Sequence, residues 1–306
     1  IAQDSLKTLE DIPITISLLD IIVNDVDDLY PEGFVLTLMD GENYAIDSTT
    51  IIPTLNYSDT LFVPVYVNDG DSDSPVETLI IYMDSVNDPP AVFPDYYSVP
   101  EDSLLIVPDS TDGVLANDVD PEGDSALAEL VDDTDHGTLV FNSDGTFSYT
   151  PVDDYSGFDK FIYRAVDNFG EPSVVATVTI GINARNDAPI AFNEDYLFYE
   201  DDTLAVIDSL GVLTNDIDVD LDQTLSAYMI SNVSHGSLLT NDTIPAQISV
   251  GDIFNGLFLY NPDDNYFGTD EFIYAAFDGY VLSNYDTVSF TINPANDAPI
   301  AVDDNL

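Results

Sequence analysis

The tetrapeptide Asn186-Asp187-Ala188-Pro189 decides the organisation of this 306-residue sequence. It recurs as Asn87-Asp88-Pro89-Pro90 and as Asn296-Asp297-Ala298-Pro299, at intervals of 99 and 110 residues. A period of about 100 residues is the size of one small domain, so the sequence is a tandem array. Each copy follows a run of β-forming residues, and its proline stiffens the chain and ends the ladder of hydrogen bonds. We interpret the tetrapeptide as the joint between successive domains.

These joints divide the sequence into three repeats and a remainder. The repeats are predicted to cover residues 1–88, 89–187 and 188–297, and residues 298–306 to form a linker and the start of a following repeat. The sequence begins just past one joint-like position and stops shortly after another. We therefore expect it to be a segment of a longer array.

The composition excludes several classes of protein. The chain has 59 acidic residues against 4 lysines and arginines, for a formal charge of −55. Such a surface repels nucleic acid and anionic membranes, so neither is an expected partner. Yet 45% of the residues are hydrophobic, which distinguishes the chain from a disordered acidic tail. It has no cysteine for a disulfide framework, and no apolar run approaches the ~18 residues of a membrane span, so we expect no membrane insertion in this segment.

Residue alternation predicts an all-β fold. Residues 161–166 read Phe-Ile-Tyr-Arg-Ala-Val, in which Phe, Tyr and Ala occupy every second position, as on one face of a strand. Residues 139–141 are predicted to pair with 147–149 as a hairpin across a turn at 142–145. No segment shows the 3.6-residue period of a long helix. Several short strands per repeat, separated by Gly, Asn, Asp and Pro, indicate β-sandwich domains.

Three further markers keep the same order in every repeat. An acidic pair opens an early strand, at Glu10-Asp11, Glu101-Asp102 and Glu200-Asp201. An N-D-x-D loop follows, at Asn24–Asp27, Asn117–Asp120 and Asn215–Asp218. A proline-to-tyrosine turn then leads into a strand that ends 12 residues after the tyrosine, at Asp69, Asp167 and Asp278. In so acidic a chain any single aspartate can simply solvate the surface, but recurrence at one phase in three repeats argues for a shared role.

These markers together resemble those of a cadherin repeat. The resemblance rests on Val99-Pro100-Glu101-Asp102, Asn117-Asp118-Val119-Asp120, Ala165-Val166-Asp167 and the joint tetrapeptide. The sequence is most similar to bacterial cadherin-like tandem repeats, of the tandem-95 or Ig-like extender kind found in large secreted and surface adhesins, over essentially its whole length. The joint is one residue shorter than in cadherins and the D-R-E element is absent, with Asp153-Asp154 in its place. The resemblance implies cadherin-like or Ig-like Greek-key sandwiches in a linear array.

The resemblance also implies Ca²⁺ at the joints, held by residues of both neighbouring repeats. At the first joint the implied ligands are Glu10, Asn87, Asp88, Asp118, Asp120 and Asp167. At the second they are Glu101, Asp154, Asn186, Asp187, Asp216, Asp218 and Asp278. The matching positions towards the two ends of the array are Asp25, Asp27, Asp69, Glu200, Asn296 and Asp297.

Elementary electrostatics favours the same metal. Two carboxylates ~4 Å apart repel by about 1 kcal/mol in water and about 4 kcal/mol near a protein surface. Several at one joint would offset much of the ~5–15 kcal/mol that keeps a domain folded. Ca²⁺ prefers six to eight oxygen ligands from carboxylates, amides and carbonyls, which these joints supply.

Two other classes of function compete with a metal-stiffened array. Paired carboxylates can catalyse glycoside hydrolysis, but acids are too frequent here for a pair to be informative. His136 and His235 occupy equivalent His-Gly positions, where we interpret them as turn residues, and no nucleophile or phosphate-loop motif is present. We therefore expect no enzyme. A carbohydrate- or protein-binding module would use exposed tyrosines, but most of the 18 tyrosines fall at strand positions that favour core packing.

The prediction is a structural stalk or extender of a calcium-dependent extracellular or cell-surface adhesin. An alternative is a subunit of a self-assembling fibre or sheath, in which residues 300–306 add a strand to the next molecule. Asp-(Ser/Thr)-aliphatic triplets, such as Asp102-Ser103-Leu104, are frequent and resemble an O-glycosylation sequence used by some Gram-negative secretory systems. Chance in a chain rich in Asp and β-formers explains them equally well, so O-glycans remain an open expectation.

Overall fold

In the computed structural model, residues 6–23, 32–220 and 223–298 are described. The predicted ligands Asp25 and Asp27, and the predicted strand-adding segment 300–306, lie outside these residues. The chain divides into two compact units, Ile1–Asn183 and Ala184–Leu306. The predicted repeat boundaries at residues 88, 187 and 297 remain predictions.

The first repeat is built of seven strands among its described residues. They are β1 (Leu6–Leu9), β2 (Ile14–Thr15), β3 (Val35–Leu38), β4 (Tyr44–Asp47), β5 (Thr50–Pro53), β6 (Leu61–Asn68) and β7 (Glu77–Asp84). One sheet has the order β1-β7-β6-β3 and the other β2-β5-β4. A short 3-10 helix, Leu18–Asp20, is capped by the hydroxyl of Ser17.

The second repeat has the same two-sheet plan. Its strands are β8 (Asp95–Pro100), β9 (Leu105–Val107), β10 (Leu127–Asp132), β11 (Gly137–Phe141), β12 (Phe147–Pro151), β13 (Gly157–Val166) and β14 (Ala176–Asn183). The sheets have the orders β10-β13-β14-β8 and β11-β12-β9. The predicted hairpin is confirmed, because Leu139 lies opposite Tyr149 and Phe141 opposite Phe147.

The third repeat forms the second unit. Its strands are β15 (Glu194–Tyr199), β16 (Leu204–Val206), β17 (Ser226–Ser231), β18 (Gly236–Thr240), β19 (Ile253–Phe254), β20 (Phe258–Pro262), β21 (Gly268–Phe277) and β22 (Leu282–Asn293). They form sheets of order β15-β22-β21-β17-β19 and β16-β20-β18, and a 3-10 helix covers Asp208–Leu210.

One pairing recurs in all three repeats and positions the joints. The first strand of each repeat lies parallel to its last strand, in the pairs β1/β7, β8/β14 and β15/β22. The other described strand pairs are antiparallel. Because parallel neighbours end at the same edge of a sheet, the end of the first strand and the start of the following joint come together.

The alternation predicted for β13 is confirmed and builds the core. Phe161, Tyr163 and Ala165 are fully buried, whereas the residues between them are more exposed. Each repeat has its own hydrophobic cluster between its two sheets. Burying a large apolar side chain stabilises a domain by about 1.5–3 kcal/mol. The predicted all-β architecture of tandem β-sandwiches is therefore confirmed.

The histidine-glycine pairs are turn elements anchored by a buried carboxylate. The His136 imidazole stacks on the Tyr155 ring, with centroids 4.1 Å apart. The His136 backbone N–H donates to Asp159, which also accepts a 2.7 Å hydrogen bond from the Tyr149 hydroxyl. A Cβ at Gly137 would collide with the Tyr149 ring, which explains the glycine. The same arrangement recurs in the third repeat around Asp270.

Candidate metal centre

A buried glutamate follows the first strand of each repeat, whereas the sequence pattern predicted that the acidic pair would open a strand. The three residues are Glu10, Glu101 and Glu200, and each is less than 5% exposed. The Glu10 backbone N–H donates to the Asp84 carbonyl at the end of β7. Its Oε1 accepts a 2.6 Å hydrogen bond from the Val86 N–H. The parallel first and last strands therefore hold the glutamate beside the chain that enters the joint.

The side chain of the joint asparagine, Asn87, is hydrogen-bonded to the residue that follows strand β13 of the second repeat. The Asn87 Nδ2 donates to the Asp167 Oδ2 over 2.7 Å. The other oxygen of Asp167 accepts the backbone N–H groups of Phe169 and Glu171. These hydrogen bonds, from Asn87 first, lower the pKa of Asp167 although burial alone would raise it. Asp167 is therefore held as a carboxylate next to the joint.

Three carboxylates from separate parts of the first unit meet at the first joint. One oxygen each of Glu10, Asp88 and Glu122 lies within 4.8 Å of the others. The Asp88 backbone N–H also donates to Glu122 over 3.0 Å. Ca²⁺ binds oxygens at 2.3–2.6 Å, so ligands of one ion lie up to about 5 Å apart. The spacing fits a single ion.

Buried oxygens without partners point to the same place. Asn87 Oδ1, Asp88 Oδ2 and Asp120 Oδ2 are buried and accept no hydrogen bond from the described residues. Leaving a buried acceptor unpaired costs about 1–3 kcal/mol. Burial, then the negative charges of Asp11, Glu10 and Asp120, raises the pKa of Asp88. This all-oxygen set of donors fits a hard divalent cation, and Asp88 also belongs to the group of three carboxylates at the joint.

The N-D-x-D loops contribute differently from the expectation. Asp118 accepts the Phe93 N–H and the Tyr163 hydroxyl, at 2.9 and 3.0 Å. Asp216 accepts the Tyr274 hydroxyl in the same way. The structure therefore turns the first aspartate of these two loops towards its own sandwich, and Asp118 is not part of the Glu10 group.

The joint is instead approached by the next two acids of the loop. Asp120 accepts the backbone N–H groups of Glu122 and Asp124, and its other oxygen is unpartnered among the described residues. Glu122, which sequence reasoning missed, contacts Asp88. Its signal was present, because acids occur at every second position from Asp118 to Glu122.

The second unit contains the equivalent contacts between its joint residues and its own acidic residues. The Asn186 Nδ2 donates to the Asp278 Oδ2 over 2.7 Å, and the Asp187 N–H donates to the Asp220 carboxylate over 2.8 Å. The Asn186 Oδ1 accepts from the Gln223 amide. One oxygen of Asp218 is buried without a partner in the described residues. Asp220 is thus the counterpart of Glu122. Sequence reasoning missed both residues because each lies two positions beyond the N-D-x-D motif.

The remaining predicted ligands lie at equivalent positions. The backbone N–H of Asp154 donates to Asp102, immediately after Glu101, and both aspartates have left-handed φ values near 57°. Glu200 accepts the Ala295 N–H through Oε1, while its Oε2 is buried and unpartnered among described atoms.

Two further predicted positions have only local hydrogen bonds within the described part of the chain. Asn296 donates to the Asp297 carbonyl over 3.5 Å. Asp69 accepts the backbone N–H groups of Asp71 and Ser72, as Asp167 does with its own loop.

Comparison with protein families gives two matches. Residues 87–184 match the bacterial cadherin-like domain, and residues 186–291 match the bacterial Ig domain. No curated protein matches the sequence. Domains of these two families are typical of extracellular or surface proteins and are typically structural modules.

One of the compared solved structures, with a TM-score above 0.5, supports the fold. The structure of extracellular cadherin domains 1–4 of protocadherin gamma B7 has a TM-score of 0.51 at 12% identity, covering 96% of this chain and 75% of that one. Domains 1–5 of protocadherin gamma B2 give 0.48 at 13% identity, covering 86% and 53%. An endo-fucoidan hydrolase of glycoside hydrolase family 107 gives only 0.25 at 14% identity, covering 87% and 39%, which carries no argument about activity.

Among the described residues, no helix is long and apolar enough to cross a membrane. The repeated joints, the paired sheets and the two family matches agree with the resemblance found in the sequence. The chain therefore contains a bacterial cadherin-like domain and a bacterial Ig domain in tandem.

Proposed function

We propose that this chain is an extender segment of an extracellular or cell-surface adhesin, in which Ca²⁺ bound at the joints stiffens the connection between repeats. The single observation that carries the proposal is the first joint. There the three clustered carboxylates of Glu10, Asp88 and Glu122 adjoin buried oxygens that have no described partner.

The ligands come from both sides of the joint, which is what makes an ion a stiffening element. Glu10 belongs to the first repeat, Asp88 to the tetrapeptide and Glu122 to the second repeat. Without a cation their like charges repel and oppose close approach. With Ca²⁺ bound, the same charges become ligands, so movement of one repeat against the next would break metal–oxygen contacts.

The Asn87–Asp167 hydrogen bond prepares the site before any metal binds. It fixes the joint against the second repeat and leaves Asn87 Oδ1 as a buried, unused acceptor. A site whose ligands are already held loses less conformational entropy on binding. We therefore expect the joint to bind the ion without refolding either sandwich.

The test compares the full chain with Ca²⁺ and with a chelator. Calorimetry should show a higher melting temperature with Ca²⁺, and small-angle scattering should show greater flexibility after chelation while circular dichroism keeps its β signal. Unchanged melting and scattering would reject the calcium model. A collapse of the β signal on chelation would place the metal in the sandwich cores instead of the joints.

A further inference from the structure

A triplet of an aspartate, a serine or threonine, and an aliphatic residue recurs along the sequence. It occurs nine times, whereas the reverse order, an aliphatic residue, then serine or threonine, then aspartate, does not occur. Both orders have the same expected frequency in a random sequence of this composition. The excess of one order therefore has a cause other than composition. The middle residues of the nine triplets are Ser5, Thr60, Ser85, Ser103, Ser125, Thr203, Ser209, Thr243 and Thr287.

No shared backbone conformation explains the triplet either. Thr287 lies within β22, whereas Ser85 directly follows the end of β7. Ser209 is in a 3-10 helix, and Thr243 lies outside the strands, between β18 and β19. Turn chemistry or strand formation would favour one of these settings over the others. A residue order that is kept in such different settings is typical of a peptide sequence that an enzyme recognises.

Four of the middle residues present a hydroxyl group that such an enzyme could reach. Each is exposed, and its hydroxyl makes no hydrogen bond with the described part of the chain; the four are Ser85, Ser125, Ser209 and Thr243. The Thr203 hydroxyl, in contrast, donates a 2.6 Å hydrogen bond to the Asn261 side chain. Thr287 is half-buried within β22. The structure therefore separates available hydroxyl groups from those occupied in the fold.

Thr243 has the most open surroundings of the four. Residues 241–247 are all exposed, and Ile244, the aliphatic residue of this triplet, is 84% exposed. The Thr240 N–H donates to the Ala246 carbonyl over 2.7 Å and closes the base of the loop. The triplet thus lies on a short loop beyond the end of β18, where both its hydroxyl and its apolar side chain are accessible.

We propose that Ser85, Ser125, Ser209 and Thr243 carry O-linked saccharides. In the transfer, the side-chain oxygen forms a bond to the anomeric carbon of a glycosyl phosphate donor. The bond from that carbon to the phosphate oxygen breaks, and the phosphate leaves with the electron pair. The hydroxyl proton passes to a base of the transferring enzyme. The aspartate before the hydroxyl and the aliphatic side chain after it are the features that this enzyme recognises.

The charge of the chain favours a saccharide over a phosphate at these hydroxyl groups. Each phosphate would add about −1.5 to −2 charges at pH 7, next to an aspartate in a chain that already carries −55. At Ser85 the added charge would also adjoin the first joint, because the N–H of the next residue, Val86, donates to Glu10. A neutral saccharide adds bulk and hydration to an exposed site without this repulsion.

The experiment measures the intact mass of the full chain purified from the cells that naturally produce it. The parent should exceed the mass of the bare chain by saccharide increments, and peptide fragmentation should place one on each of the four hydroxyl groups. Thr243→Val should lose one increment. Asp242→Asn keeps the hydroxyl group and should lose the same increment, because the recognised aspartate is gone. Ser143→Ala is the matched control: Ser143 is equally exposed but lies outside any triplet, so its removal should leave every increment in place.

Three results would overturn the proposal. The first is a parent mass equal to that of the bare chain, and the second is a set of increments with the mass of phosphate. The third is an increment at residues 241–243 that Asp242→Asn retains. Asn241-Asp242-Thr243 also matches the acceptor pattern for asparagine-linked glycans, and such a glycan would not need the aspartate. None of these results bears on the calcium sites, whose ligands do not include the four hydroxyl groups.

Discussion

The Asn87 amide donates a 2.7 Å hydrogen bond to the Asp167 carboxylate, 80 residues further along the chain. Asn186 and Asp278 make the same bond across 92 residues. In both repeats the tetrapeptide is therefore more than a spacer, because its first residue is fastened to the end of the penultimate long strand of the following sandwich.

Replacing Asn87 with aspartate tests this fastening. Asn87→Asp removes the donor and places a second negative charge against Asp167, which costs about 1–4 kcal/mol at ~4 Å depending on exposure. We expect a lower melting temperature in chelator. Because Ca²⁺ would bind the added carboxylate, the rise in melting temperature on adding Ca²⁺ should exceed that of the parent. Calorimetry with and without metal measures both.

The matched control is Asn241→Asp, which adds the same charge on an exposed loop of the third repeat. Its melting temperatures should follow the parent in both conditions. If Asn87→Asp gains no more from Ca²⁺ than this control, the Asn87 side chain does not face a metal.

Glu122 offers the sharpest test of the joint. Glu122→Gln keeps the size of the side chain but removes one of the three clustered charges. Loss of a charged ligand should move the midpoint of calcium-dependent stabilisation to about tenfold higher concentration, equivalent to about 1.4 kcal/mol. A calcium titration followed by melting temperature gives the midpoint.

Glu129→Gln is the control for that titration. Glu129 forms an exposed ion pair with Arg164 at 2.7 Å, and exposed pairs contribute little, about 0–1 kcal/mol. Its calcium midpoint should stay at the parental value. The same shift in both variants would mean that overall charge, and not the joint geometry, governs the response.

The buried tyrosine that anchors the histidine turn predicts a stability effect independent of metal. Tyr260 is fully buried and donates a 2.8 Å hydrogen bond to Asp270. Tyr260→Phe leaves that carboxylate with one donor fewer, and bonds to charged groups contribute about 1.5–3 kcal/mol. We expect a loss of that size in denaturant unfolding, followed by near-UV circular dichroism.

Tyr280→Phe is the control, because Tyr280 is 81% exposed. Its free energy of unfolding should change by less than about 0.5 kcal/mol, as for most surface substitutions. Similar losses in the two variants would show that Asp270 is adequately satisfied by the backbone N–H groups of Ser234, His235 and Glu271 alone.

The sequence carried the local features of the fold and left tertiary choices open. Residue alternation in β13 and proline in the joints act over a few residues, so they could be interpreted without a structure. The sequence alone could not show which acids of the loop face the joint. Asp118, Asp120 and Glu122 alternate equally well, and the Tyr163 hydroxyl, 45 residues away from Asp118, takes the first of them away from the joint.

A similar limit hid the surroundings of Glu194. Glu194 is one of 59 acidic residues and stands out only once its position opposite Val288 is known. Asp144, in the turn of the β11–β12 hairpin, accepts a 2.6 Å hydrogen bond from the Thr146 hydroxyl. The position of Glu194 has no local sequence signal because it depends on strand pairing, whereas the contact between Asp144 and Thr146 spans two residues and follows from local turn chemistry.

The raised pKa of Glu194 predicts how stability without metal depends on pH. An unfolded chain releases this proton near pH 4.5, whereas the folded chain keeps it up to about pH 8. Between these values the folded state binds more protons than the unfolded state, so stability falls as pH rises. The contribution of Glu194 to stability is fully present below about pH 4.5 and is lost above about pH 8. Melting temperatures in chelator across this range measure it.

Comparing Glu194→Gln with the parent isolates the effect of this one carboxyl. Asp95 and Asp216 also have raised pKa values, of about 6, so their contributions have the same sign but end near that pH. From pH 6 to 8 the stability of the parent should fall more steeply than that of Glu194→Gln. Above pH 8 the two curves of stability against pH should have the same slope. Parallel curves from pH 6 to 8 would mean that Glu194 is already ionised in the folded chain and is solvated in place of being buried.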